Sequence, residues 1–395
     1  MATETAKKPA TLTPKAFRRR FPIFKDKILL NSCSKGALSR EVEEAYDRYL
    51  HAWRTGGSPW EEWVGKLEEA RTAFAQFLRC SSDEVAVTFC ASIAAGTLAS
   101  ALDFSGRRNK VVVGDFEFPT MAHIWLAQQR RGARISRVRA SGNRLPAESY
   151  ARQIDAETLL VPTTHVCFKN GYRVDVASVV KAARDAGAYS LIDDYQCSGT
   201  RPIDVKGLGC DFLVSGCLKY LLGSSGLAFF YVRRELIERL EPTLTGWFAQ
   251  ESPFAFDIER ATYHSTARRF ESGTPPIPNL YAAIAGLRLV MKAGLKRIQQ
   301  HIDELARFTI EQARKRGIEV LTPEDPRERG PLVMLRSKDA GRLVQILDRK
   351  GIIVSSRADG LRLGLHYYNL PEDIEETFAV LDQHPELLVR VAHPA

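Results

Sequence analysis

From about residue 66 to residue 240 the chain alternates short apolar runs with stretches whose apolar positions recur at helical spacing. The strand candidates are EVAVT (84–88), KVVVG (110–114), RISRV (134–138), LLVP (159–162), YSLID (189–193), FLVS (212–215) and LAFFYV (227–232). Helical stretches at 95–103, 119–131 and 175–187 lie between them. Alternation of this kind, with near-continuous apolar strands, predicts a seven-stranded, mostly parallel sheet covered by helices on both faces. Beyond it the pattern changes. A long helix is predicted over about 277–316, followed by PLVMLR (331–336), a helix near 338–350, GIIVSS (351–356) and LRLGLH (361–366). These form a smaller α/β layer. A last helix begins near Pro371, with Asn369 placed to cap it. The fold class is therefore α/β. The expected division is a large domain over 61–285 and a small C-terminal domain over 286–395, with the segment 21–60 packing on the small one and a flexible basic tail over 1–20.

Length and composition narrow the picture. A chain of 395 residues is too long for one small core, which agrees with two domains. No uninterrupted apolar run is long enough for a membrane helix, so no membrane partner is expected. The start, MATETAKKPATLTPKAFRRRF, lacks the apolar segment of a signal peptide. Lys and Arg number 56 against 47 Asp and Glu, a formal charge of +9. The basic residues are scattered and not interleaved with aromatics, which argues against nucleic acid. An anionic cofactor or substrate accounts for part of the excess. The seven cysteines are odd in number and show no CxxC or Cys/His ligand spacing. Reduced thiols in a cytoplasmic enzyme without a metal site are the expectation.

The stretch SGCLKYLLGSSG (215–226) poses the chemical question. Lys219 follows a strand that reads as core, where an unpaired ammonium is costly. In an open α/β sheet, ligands bind at the carboxyl ends of the strands. The predicted strand ends collect Asp193, Gln196, Lys219, Ser92 and Phe118 in one cleft. Pyridoxal phosphate would use that set. A lysine amine forms a Schiff base with its aldehyde, and a carboxylate keeps its ring nitrogen protonated. A helix start such as CASIAAG, with the Ser92 hydroxyl, suits the phosphate. Phe118 offers a flat apolar face for the ring. Taken singly, each residue has an ordinary reading: a surface lysine, helix caps at Asp193 and Ser92, a core phenylalanine. What points to the cofactor is their order along the sequence.

The segment LIDDYQCSG…CDFLVSGCLKYLLGSSGLAFFYVRREL resembles the core of the class V aminotransferase group of fold-type I pyridoxal-phosphate enzymes, which includes cysteine desulfurases and kynureninases. The group's D-x-x-Q/H, lysine, G-x-x-G order matches Asp193, Gln196, Lys219, Gly223 and Gly226. TGWFAQESPFAFD (245–257), RRFESGTPPIPNL (268–280), LNSCSKGAL (30–38) and RTGGSPWEEW (54–63) are most similar to the kynureninase branch. The resemblance covers about residues 28–380. It implies that Lys219 carries the cofactor and moves protons, and that Asp193 pairs with the ring nitrogen, Asp194 being the alternative. It implies further that Gln196 meets the ring hydroxyl and that Ala91, Ser92 and Trp247 hold the phosphate. Thr274 would reach the phosphate of the other subunit of a homodimer with shared active sites. Arg362, in LRLGLHYYNLPEDIE, would bind the carboxylate of a small amino-acid substrate. Cys33 would line the substrate pocket.

The sequence also departs from these relatives. GIIVSSRADG (351–360) has no cysteine where desulfurases carry their nucleophile, and none follows Cys217. Leu218 stands where kynureninases have a tyrosine, Gln196 where they have a histidine, and Phe168 where desulfurases have an asparagine. His165 is read as a core histidine. The leading expectation is transamination of an L-amino acid. The alternative is a lyase or hydrolase that breaks a C–S or C–C bond within the substrate's side chain. A catalytically idle cofactor-binding partner is the third, and the joint presence of Lys219, Asp193 and Arg362 argues against it.

Overall fold

The computed structural model describes residues 12–357 and 360–391. Its centre is a seven-stranded sheet built from β2 (Val85–Thr88), β3 (Lys110–Gly114), β4 (Arg134–Val138), β5 (Thr158–Thr164), β6 (Tyr189–Asp193), β7 (Phe212–Gly216) and β8 (Ala228–Val232), a short β1 (Ile28–Leu29) preceding them. The order across the sheet is β2-β8-β7-β6-β5-β3-β4. Only β8 runs antiparallel to its neighbours. Alternate residues face opposite sides. Val85, Val87, Val112, Val161, Ile192, Leu213 and Phe229 pack beneath helices Trp60–Leu78, Val176–Asp185 and Ile277–Ala293. Ala86, Val111, Val113, Leu160, Leu191, Val214 and Phe230 face helices Ala91–Ala101 and Pro119–Ala127. Burial on both faces explains why most of these strands read as unbroken apolar runs. The edge strand β4 keeps Arg134 and Arg137 outward, which discourages pairing with another molecule.

A separate apolar cluster gathers the C-terminal elements. Strands β9 (Leu332–Arg336), β10 (Ile352–Ile353), β11 (Ser355–Arg357) and β12 (Gly360–Gly364) contribute to this layer, with β11-β12-β9 forming an antiparallel sheet. Helices Leu295–Lys315, Ala340–Arg349 and Pro371–Leu381 cover it. The N-terminal segment joins the same cluster, β1 pairing in parallel with β10. No helix among the described residues is long and apolar enough to cross a membrane.

Three local expectations differ from the structure. The helix expected over 277–316 is two helices, Ile277–Ala293 and Leu295–Lys315, broken at Gly294, whose φ of 88° lies outside the helical range. Asn369 does not cap the last helix. Its Oδ1 accepts from the His366 N–H at 2.9 Å, and Asp373 Oδ2 instead accepts from the Leu370 N–H at 3.1 Å. Of the flexible tail expected over 1–20, residues 1–11 lie outside the described residues, and the rest packs on the C-terminal cluster from Leu12 onward. Thr13 caps helix Pro14–Arg18. Phe17 and Phe21 are fully buried against Tyr367 and Tyr368, and Arg18 Nη1 pairs with Asp373 at 2.7 Å.

Phe17→Ala should therefore lower stability by about 3–5 kcal/mol, the usual cost of emptying a buried aromatic site. Denaturant unfolding of the variant against the parent checks this. A loss below about 1 kcal/mol would mean the segment does not hold the core.

Candidate active site

The cleft lies where β6 and β7 end. Asp193 closes β6, Gly216 closes β7, and the turn that follows carries Lys219. A cavity of about 220 Å³ is lined by Cys90, Ala91, Ser92, Phe118, Thr120, Met121, Thr164, Phe168, Asp193, Tyr195, Gln196, Leu218 and Lys219. The structure thus brings together six of the sequence-predicted residues, Ala91, Ser92, Phe118, Asp193, Gln196 and Lys219. The Lys219 ammonium lies 4.3 Å from the Tyr195 ring centroid and 5.8 Å from that of Phe118. Gly216 is needed for this arrangement, since a Cβ there would fall 2.2 Å from the Tyr195 ring. Burial pushes the lysine down to about 8, against the upward pull of Asp193, and Arg362 and Arg357 push the same way as burial.

The acids of the cleft shift in the opposite direction. Burial holds Asp193 up at about 6, although the Tyr195 N–H donates to its Oδ1 at 3.1 Å and Lys219 attracts its charged form. Glu117 lies behind it. Burial first, and the Asp193 charge second, push its carboxyl up to about 8. Its Oε1 accepts from the Thr164 N–H at 2.7 Å, while its Oε2 is buried without a partner among the described residues. Asp194, the alternative to Asp193, does not line the cavity. Its carboxylate receives His165 Nδ1 at 2.6 Å and also the Ser198 hydroxyl. Burial alone would lower His165, but Cys197 and Asp194 outweigh it and raise the imidazole to about 10. His165, Asp194 and Cys197 lie close enough to share a ligand, a grouping that sequence spacing did not reveal. Their polar atoms are already committed to one another.

Gln196 Nε2 donates to the Cys33 carbonyl at 3.0 Å. Its Oε1 is buried and lacks a donor among the described residues. Helix Ala91–Ala101 opens at Cys90, and no side chain caps it, so its first N–H groups lack that kind of partner. Ser92 and Thr120 bring their hydroxyls within 3.4 Å of each other beside it. Phe118, on the same wall, is 43% exposed, so a ring face is free.

Arg362, on β12, is fully buried, not a surface residue. Nη1 donates to the Phe168 carbonyl at 2.6 Å, Nη2 to Ser34 Oγ at 2.7 Å, and Nε and Nη2 to Ser355 Oγ at 3.1 Å. All these partners are neutral. Cys33 is buried near Tyr220 and Leu332, its carbonyl held by Gln196.

Arg362, Cys33, Trp247 and Thr274 do not line this cavity. Trp247 packs edge-on against Trp60, Phe248 and Phe254, and Thr274 is exposed. Their two segments touch, the Phe248 N–H donating to the Ser272 carbonyl at 3.0 Å. Sequence reasoning missed Tyr195, Glu117, Thr120, Ser355 and Arg357. Ser355 and Arg357 precede Arg362 by an odd number of residues, so strand alternation alone would not join them to it, and only the hairpin register brings them to its face.

A family model described as aminotransferase class-V matches residues 35–376. A Bacillus subtilis protein called uncharacterized aminotransferase YcbU is 34% identical over 361 residues, covering 91% of this chain and 95% of the relative. A kynureninase of Deinococcus radiodurans is 28% identical over 389 residues, covering 93% of each protein. Among solved structures, an apo cysteine desulfurase from Thermococcus onnurineus superposes with a TM-score of 0.87 at 24% identity, covering 95% of this chain and 98% of that one, a likeness of fold.

The raised Glu117 carboxyl has a pH consequence. The folded state keeps a proton that the unfolded chain releases near pH 4.5. Stability from this group is complete below that value and falls as pH rises toward about 8. In Glu117→Gln the loss is removed. The melting temperature of the variant should therefore climb relative to the parent between pH 5 and pH 8. A constant difference across that range would show that Glu117 is ionised in the fold.

Proposed function

The chain belongs to the class-V aminotransferase family, and from that premise we propose that it is an aminotransferase acting on an L-amino acid with Lys219 as the residue that carries the cofactor. The protein is a pyridoxal-phosphate-dependent enzyme. Its cavity fits that group on its own terms: a buried amine, a carboxyl at the strand end, an acceptor without a donor on Gln196, and an uncapped helix start. When bound, pyridoxal phosphate supplies an aldehyde for amines and an electron-poor ring that accepts the electrons left when a proton departs the α-carbon.

The residues divide the remaining work. Lys219 Nζ, held near 8, offers an uncharged amine for attachment and a base for the α-proton. The Asp193 carboxylate would hold the proton on the ring nitrogen, and that positive charge would in turn favour its ionised form. Gln196 Oε1 would accept from the ring hydroxyl. The Ala91 and Ser92 end of the 91–101 helix, with the Thr120 hydroxyl, would hold the phosphate. Phe118 would cover the ring face and keep water from it. Arg362, already oriented by Ser34, Ser355 and Phe168, would take the substrate carboxylate through its charge and the N–H that these bonds leave free on Nη1.

The observation that carries amino transfer is that Lys219 is the only basic group among the described residues lining the cavity. Removal and return of a proton by one base suffices for that reaction. Breaking a bond within the substrate's side chain needs a further donor for the leaving group; Leu218 and Phe168 on the walls offer none, and that alternative would fall to the Tyr195 phenol or the Cys90 thiol. We also read the protein as a homodimer. Trp247 and Thr274 lie outside their own cavity, and Phe254, Phe256 and Ile258 near them are exposed apolar residues in need of cover.

Borohydride treatment should fix the cofactor to the peptide containing Lys219, read by mass spectrometry. An amino acid supplied with a keto acid should exchange its amino group. Lys219→Ala should lose both the adduct and turnover, and a variant that kept them would reassign the site. In light scattering the active species should have twice the mass of one polypeptide, so a fully active monomer would overturn the dimeric reading.

A further inference from the structure

Strands β11 and β12 form a hairpin in which Ser355 lies opposite Arg362 and Arg357 opposite Gly360. Side chains two apart on a strand share a face. Ser355 and Arg357 therefore project to the side on which Arg362 lies, and the contact from Arg362 to Ser355 Oγ at 3.1 Å identifies that side. Gly360 offers Arg357 no cross-strand side chain to pair with. The Arg357 guanidinium makes one hydrogen bond, from Nη1 to the carbonyl of its neighbour Ser356 at 2.7 Å, and meets no carboxylate among the described residues. Arg362 likewise has only neutral partners. Both arginines act on Lys219, and Arg357 is in turn lowered by burial and by the Arg362 charge. Through the Phe168 carbonyl Arg362 abuts a cleft whose described lining residues include one cation, Lys219, and one carboxylate, Asp193, and Arg357 lies on the same face of the hairpin as Arg362.

We propose that Arg357 forms a second anion subsite beside Arg362, selecting amino acids whose side chain ends in a carboxylate. This rests on the amino-acid substrate of the reading above. The α-carboxylate neutralises Arg362, and the cofactor phosphate is met by the 91–101 helix start. Arg357 is then left with a free planar fork, and a second carboxylate matches it in charge and in bidentate geometry. An amide of the same shape would leave the half-buried guanidinium uncompensated.

Two measurements on the full-length, cofactor-loaded protein test this. Calorimetry with the unreactive acids succinate and glutarate against propionate and butyrate reads the subsite without turnover. At least one dicarboxylate should bind about tenfold more tightly than its monocarboxylate partner, about 1.4 kcal/mol. Arg357→Gln should bring the pair within about threefold, and Arg357→Lys should restore part of the gap. Equal binding of the two classes by the parent, or an undiminished gap in Arg357→Gln, would overturn the proposal. In turnover, the kcat/KM ratio of glutamate to glutamine, or of aspartate to asparagine, should fall about tenfold in Arg357→Gln, and an unchanged ratio counts against the subsite. If the dicarboxylate gap stands while no amino acid exchanges its amino group, the subsite holds and the aminotransferase reading fails. Amino transfer with no preference for acidic side chains would mean the opposite: the aminotransferase reading holds and the subsite fails.

Discussion

The short turn from Cys217 to Gly223 is the point on which the molecule depends, because several distant segments close on its backbone. A Cβ at Gly36, in the N-terminal segment, would sit 2.3 Å from the Lys219 carbonyl oxygen. One at Gly286, in helix Ile277–Ala293, would sit 2.5 Å from the Leu221 carbonyl oxygen. No side chain fits in either space. From the C-terminal layer, His366 Nε2 reaches the Tyr220 carbonyl at 3.0 Å. Leu222 adopts a left-handed φ of 58°, a conformation that costs a non-glycine residue about 1–2 kcal/mol. It persists because the Leu222 side chain is buried in the C-terminal cluster and its N–H is bonded to the Lys219 carbonyl. The lysine is thus positioned by packing that also joins the large sheet to the rest of the fold.

That location dictates the electrostatics. A group enclosed on all sides loses hydration, so the neutral form of each gains. Lys219 falls while Asp193 and Glu117 rise, and burial is the leading cause in all three. The same enclosure makes unmatched groups expensive. Gln196 Oε1 and Glu117 Oε2 have no partner among the described residues, and neither Arg357 nor Arg362 hydrogen-bonds a carboxylate among them. Such a site is built around charges and donors that a bound anionic molecule brings with it.

Much of the fold was legible in the sequence because strands buried on both faces cannot hide their apolar character. Most of the central strands carry an apolar run, and Asp193 and Lys219 stood out as polar residues at or just beyond the end of one. The errors have local physical causes. Gly294 lies between two helices whose apolar periodicities nearly join, so nothing in the pattern marked the break. Phe17 is one aromatic in a basic, proline-containing stretch, and its burial depends on Tyr367 and Tyr368, some 350 residues away in sequence. Glu117 and Tyr195 were missed because a buried acid and a buried ring look like any loop residue until their neighbours are known. Trp247 and Thr274 lie outside the cavity, and the aromatic cluster that holds Trp247 against Trp60, Phe248 and Phe254 joins segments that sequence order keeps apart.

The hairpin residues show a further division that sequence order obscures. Arg362 is held by four hydrogen bonds from three different parts of the sequence, and it is fully buried. Its geometry is therefore fixed before any substrate arrives, and little entropy remains to be lost on binding. Arg357 has one local bond and stands on the shortest strand of its sheet. A change at Arg362 would disturb Ser34, Ser355 and the Phe168 backbone together. A change at Arg357 would disturb almost nothing but the charge it presents. On the proposed reading, the contact common to every amino acid would fall on the rigid arginine, and the contact that distinguishes one side chain from another would fall on the arginine that a single local bond holds.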